Sequence, residues 1–139
     1  MKIKRAILIN APLKKAYSIA ENYPLFVKSF QKKEILFCSE KASKVRITNV
    51  FFFIPLTWEG ESRKIKNERM EWRQTSGLLE GLKADWIFCQ KNNDQTEVII
   101  EGEYSGQGLR GIALSIIGPM LILKALSRIL NSLKVAAEC

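Results

Sequence analysis

From Glu34 to Tyr104 the apolar residues recur at every second position, and this two-residue period constrains the fold more than any other feature of the sequence. It runs through six candidate strands, 34–39, 44–52, 56–64, 69–75, 79–90 and 96–104, separated by turn-like pieces such as Ser39-Glu40-Lys41, Lys66-Asn67, Ser76-Gly77 and Asn92-Asn93-Asp94. Connections this short join antiparallel neighbours, because a parallel pair needs a crossover of roughly a dozen residues or more. One set of alternate positions reads Val45, Ile47, Asn49, Phe51, then Leu56, Trp58, Gly60, Ser62, then Met70, Trp72, Gln74, then Leu82, Ala84, Trp86, Phe88, then Val98, Ile100, Gly102, Tyr104. The interleaved set carries Lys44, Arg46, Glu59, Glu61, Arg63, Glu71, Arg73, Lys83, Asp85, Glu97, Glu101 and Glu103. The charged set must face water, so the sheet has one wet face and one inner face rich in aromatics.

The flanks obey other rules. Residues 3–9 read as a further strand. Pro12 then opens a helix whose apolar positions Leu13, Ala16, Tyr17 and Ala20 share one face, and Asn22 and Pro24 stop it. A second short helix is expected around 25–29. After Gly106-Gln107-Gly108 a single helical pattern continues to about Ala137. Its second half is amphipathic, with Ile122, Leu126, Ile129 and Leu133 on one stripe and Lys124, Arg128 and Asn131 opposite. Its first half, 112–121, is apolar nearly all round and should bend at Gly118-Pro119. The 139 residues fit one domain, 1–139, without repeat, linker or low-complexity tract.

Composition excludes several kinds of chemistry. The chain has no histidine, so Ser-His-Asp and Cys-His nucleophiles and every imidazole-ligated metal site are ruled out. Cys38, Cys89 and Cys139 are far apart with no CxxC, which fits buried apolar thiols in a reducing compartment. Neither metal nor other cofactor is expected. The net charge of 22 − 14 = +8 attracts anions. Lys and Arg are nevertheless spread among glutamates while the aromatics point inward, a pattern unlike a nucleic-acid surface. The opening apolar run is broken by Asn10 and Pro12 and reads as a strand, not a signal peptide. The uncharged stretch from Gly111 to Leu123 is shorter than the roughly 18 residues of a membrane span. A cytoplasmic protein, at most peripheral at a membrane, is expected.

Specific residues carry a resemblance. They are Ile9-Asn10-Ala11-Pro12 with Ala16-Tyr17, Tyr23-Pro24 with Phe26 and Phe30, Trp58-Glu59-Gly60-Glu61, the aromatic surroundings of Trp72, Leu82 to Phe88, and Thr96-Glu97-Val98 leading to Tyr104. In this order the chain resembles the START-like or SRPBCC superfamily, most of all its polyketide cyclase/dehydrase and coenzyme Q-binding branch. The resemblance spans essentially the whole chain and implies an α+β helix-grip fold. In that fold a curved seven-stranded antiparallel sheet wraps around a long C-terminal helix, with two short helices after the first strand. It also implies a cavity between sheet and helix for lipids, quinones, sterols or polyketides.

The expected lining comes from the inward positions Asn49, Trp58, Ser62, Met70, Trp72, Gln74, Trp86, Phe88, Ile100 and Tyr104, joined by Ile116 and Met120 from the final helix. Inward Trp58, Trp72 and Trp86 suit a small-molecule pocket, and they suit a filled core equally well. Asn49, Ser62, Gln74 and Tyr104 would orient a ligand oxygen, or else pair among themselves, since a buried unpaired polar group costs about 1–3 kcal/mol. The leading functional expectation is binding or delivery of a hydrophobic small molecule such as a lipid, an isoprenoid quinone or a polyketide-like compound. The alternative is a polyketide cyclase/aromatase-type enzyme, disfavoured because the charged candidates fall on the wet face. The segment Phe51-Phe52-Phe53-Ile54-Pro55-Leu56 is an unusually apolar connection. Exposed, Phe51, Phe52 and Phe53 suit peripheral contact with a membrane or a second copy in a homodimer; folded back, they cover the cavity or gate it beside the final helix.

Overall fold

The computed structural model describes the backbone of residues 2–51, 53–77, 79–104 and 108–139, and the side chains of the same residues except Phe51, Ile54 and 108–121. In chain order the elements are β1 (Lys2–Ile9), α1 (Leu13–Ala20), β2 (Lys32–Cys38), β3 (Ala42–Phe51), β4 (Ile54–Ile65), β5 (Arg69–Gln74), β6 (Lys83–Asn92), β7 (Gln95–Glu103) and α2 (Gly108–Glu138). All strands join one antiparallel sheet in the order β1-β7-β6-β5-β4-β3-β2, a meander from β2 to β7 with β1 added beside β7. The sheet is curved, and α2 is the C-terminal helix of a helix-grip arrangement.

The two-residue period decides the faces as expected. Val45, Ile47, Met70, Trp72, Ala84, Trp86, Phe88, Val98 and Ile100 are buried on the concave face. The convex face carries cross-strand ion pairs such as Arg46 with Glu34 and Glu59, at 3.1 and 3.0 Å, and Arg69 with Asp85 at 3.0 Å. These solvent-exposed pairs each contribute little, about 0–1 kcal/mol. Along α2 the stripe Ile122, Leu126, Ile129, Leu130, Leu133 and Ala137 is buried.

Polar side chains fix the β1–α1 corner, where the strand must turn into a helix. The buried Thr96 hydroxyl donates to the Ala11 carbonyl at 2.9 Å, and Gln95 Nε2 donates to Asn10 Oδ1 at 3.0 Å. The Glu138 carboxylate accepts from the Asn10 backbone N–H at 2.8 Å, and Lys134 Nζ donates to the Leu8 carbonyl at 2.9 Å. The end of α2 is thereby tied to both β1 and the start of α1.

Four local readings need correction. No second short helix forms at 25–29, so α1 stands alone between β1 and β2. Residues 21–27 instead form successive turns, with N–H to carbonyl bonds from Asn22 to Ile19, Leu25 to Asn22 and Val27 to Pro24. The Leu25 and Val27 carbonyls are instead taken by Lys33 Nζ at 3.2 and 3.1 Å. The strand expected over 79–90 begins only at Lys83, because 79–82 belongs to a turn in which the Gly81 N–H bonds back to the Gln74 carbonyl at 2.9 Å. The apolar connection after Phe51 is mostly strand: β3 reaches Phe51 and β4 starts at Ile54, with Phe53 in a turn just before it. The cysteines are free but not buried, since Cys38 lies on the edge strand β2, Cys89 is half-buried on the outward row of β6, and Cys139 ends the chain.

Candidate ligand-binding site

The three tryptophans are held in place by glycines and by the turns after α1. Gly60 sits opposite Gln74 on β5, beside Ser62, which pairs with Trp72. A Cβ built on Gly60 would lie 2.1 Å from Trp72 Cζ2, so the indole occupies the space that any side chain at position 60 would need. Gly77, at φ +92°, plays a similar part for Trp58, whose Cβ would be 2.6 Å from a Cβ at 77. The segment before it folds back on β4 through Thr75 and Ser76, whose N–H and hydroxyl bond to the Glu59 carbonyl and N–H.

Above this floor the turns after α1 place three aromatic rings. Tyr23 meets Trp72 edge-on at 5.3 Å between centroids and Trp86 at 5.7 Å. Phe26 meets Trp86 at 6.3 Å, Phe30 meets Trp58 at 5.6 Å, and Tyr23 contacts both phenylalanines. On α1, Tyr17 meets Phe88 edge-on at 5.3 Å. Such tilted and T-shaped pairs suit the ring quadrupoles.

Burial is uneven across this face. The inward residues of β5, β6 and β7 are buried, as are Val45 and Ile47 on β3, whereas Leu56, Trp58 and Ser62 along β4 stay partly accessible. Tyr23 is also partly accessible, although burial pushes its phenol well above the usual range. The Tyr17 hydroxyl differs: it is sealed, has no partner among the described residues, and its phenol is raised by burial first and by Glu21 second.

Of the residues expected to line a pocket, Asn49, Met70, Trp72, Gln74, Trp86, Phe88, Ile100 and Tyr104 are buried on the concave side. Trp58 and Ser62 are partly exposed there. Ile116 and Met120 lie outside the described side chains, as do Phe51 and Phe52. Sequence reasoning did not assign Tyr23, Phe26 and Phe30 to the lining, because they sit in a non-periodic segment. It also passed over Lys64, which shares the parity of Trp58 and Ser62 and is 7% exposed. Parity alone would have found it; its charge suggested the wet face.

No protein-family model matches the chain, and no curated protein is significantly similar to it. Solved structures do match in shape. A Thermus thermophilus protein superposes with a TM-score of 0.84 at 16% identity, over 99% of this chain and 97% of that one. A START superfamily protein from Mycobacterium smegmatis gives 0.76 at 11% identity, over 99% and 97%. The Zhui aromatase/cyclase of a Streptomyces species gives 0.70 at 14% identity, over 98% and 87%. The chain has the START-like helix-grip fold. Identities this low establish shape and leave function to the site itself. No helix among the described residues is long and apolar enough to cross a membrane.

Proposed function

We propose that this START-like protein binds or delivers a hydrophobic small molecule, held between the concave face of the sheet and α2. The observation that carries this reading is the partial accessibility of Leu56, Trp58 and Ser62 on an otherwise buried aromatic face, with the partly accessible Tyr23 packed on Trp72. A filled core would bury these residues as it buries Val45 and Ile47. Trp58, Met70, Trp72, Trp86, Phe88 and Ile100 would supply apolar contact. Asn49, Ser62, Gln74 and Tyr104 would orient a ligand oxygen, such as that of a quinone or a polyketide-like compound. Mass spectrometry of an organic extract of the natively purified protein tests this: an apolar compound near one per chain supports it, and extracts without any such compound count against it.

Two extensions follow from particular observations. A cyclase role draws on the fold shared with the Streptomyces aromatase/cyclase and would need a proton donor on the concave face, where Lys64 and Tyr104 are the described candidates. Peripheral membrane contact draws on Phe53, which is 99% exposed at the β3–β4 tip with φ +66°. A fully exposed aromatic ring in left-handed backbone adds little to the core, which supports a membrane-contacting role for this tip in a basic protein.

A further inference from the structure

We infer that the bound molecule is a hydrophobic carboxylic acid whose carboxylate is received by Lys64; this rests on the binding reading above. Among the described residues Lys64 is the only buried charged side chain. The register puts it on the concave face, two positions beyond Ser62 on β4 and directly opposite Met70, in the cross-strand row that continues through Trp86 and Ile100. Its Nζ reaches the edge strand β2, where it donates to the sulfur of the exposed Cys38 at 3.7 Å in a part-buried contact. A thiol is a weak acceptor and gives an ammonium little in return for lost water. No carboxylate forms an ion pair with Lys64. Every Asp and Glu of the chain lies among the described residues, so no hidden acid can serve.

A lysine whose stem is buried and whose part-buried ammonium has no carboxylate partner is placed to take one from a ligand. The partly accessible Ser62 precedes it on the same face of β4. From Trp58 to Lys64 the strand covers about 20 Å at about 3.3 Å per residue, the length of a long apolar tail whose head is at Nζ. A carboxylate there would gain a charge-assisted hydrogen bond that an ester or alcohol of the same tail cannot make.

The test compares cis-parinaric acid with its methyl ester, followed by the probe's own fluorescence, on the wild type, Lys64→Met and Lys64→Arg. The expected result is acid binding about tenfold or more tighter than ester in the wild type. Lys64→Met should lose that preference, acid and ester then binding alike, and Lys64→Arg should keep it. Lys64→Gln replaces Lys64→Met if the latter does not fold. Equal binding of acid and ester by the wild type, or a preference that survives loss of the charge, overturns the Lys64 assignment and leaves hydrophobic binding standing. Saturation by neither probe overturns the binding reading and this inference with it.

Discussion

Replacing Gly60 by Ala should destabilise the protein through one neighbour, Trp72. The new methyl would stand 2.1 Å from Cζ2, 2.2 Å from Cη2 and 2.7 Å from Cε2, so the whole indole must move rather than a flexible side-chain end. Trp72 cannot move freely, being buried and packed edge-on against Tyr23 at 5.3 Å. Overpacking of a rigid core costs about 1–3 kcal/mol. For a domain of this size that lowers the thermal midpoint by roughly 3–10 °C. Without the indole the sign should reverse, because Ala in a strand interior is better than Gly by about 0.5–1 kcal/mol. Thermal and urea unfolding of Gly60→Ala, Trp72→Leu and the double variant form the cycle that separates the terms. A Gly60→Ala penalty that is absent in the wild type, or equally large in the Trp72→Leu background, refutes the argument that Gly60 exists to seat Trp72.

Tyr17→Phe should raise stability by about 1 kcal/mol, since it deletes a sealed hydroxyl without a partner among the described residues; a lower midpoint would show that the hydroxyl is satisfied. Phe53→Ser should leave the midpoint within about 0.5 kcal/mol of wild type and weaken binding to anionic liposomes, whereas unchanged liposome binding would remove the membrane role of the tip. The Glu138 carboxyl is held below its ordinary range by hydrogen bonds from Lys134 and then from the Asn10 backbone N–H, so the stability it contributes is present above the usual carboxylate pKa and lost as pH falls through the depressed one. Its NMR titration should therefore lie below that of a free glutamate, and Glu138→Gln should speed amide exchange at Asn10; a midpoint at or above the free value would contradict the tie.

The sheet was legible because its signal is redundant. Trp58, Met70, Trp86 and Ile100 each repeat the same parity on different strands, and a single register slip would bring Arg73 or Glu101 inward. Six strands and their antiparallel pairing followed from that pattern, while the first strand and the C-terminal helix were read from their own apolar runs. What escaped depends on contacts between segments without a period. The turns at 21–27 follow from Lys33 binding two carbonyls across six and eight positions, which no local propensity encodes. The lid of Tyr23, Phe26 and Phe30 is placed by those turns, so its part in the site was hidden with them. Lys64 was hidden differently: its position was readable, but a lysine is normally solvated, and only the structure shows it buried beside Cys38. The thiols erred in the opposite sense, since cysteine is usually buried and here occupies an edge, an outward row and a terminus.

The most direct test of the central claim is titration of the intrinsic tryptophan fluorescence with a quinone, a fatty acid and a polycyclic aromatic. Trp72 and Trp86 share the ring of Tyr23, and Trp58 flanks the accessible strip, so an occupant of the recess would contact or shield all three. The account predicts saturable quenching by at least one of these ligands at a stoichiometry of one per chain, displaced by an unlabelled competitor. Quenching that rises linearly with every ligand, with no saturation and no competition, would mean that the aromatic face is a filled core and would contradict the account.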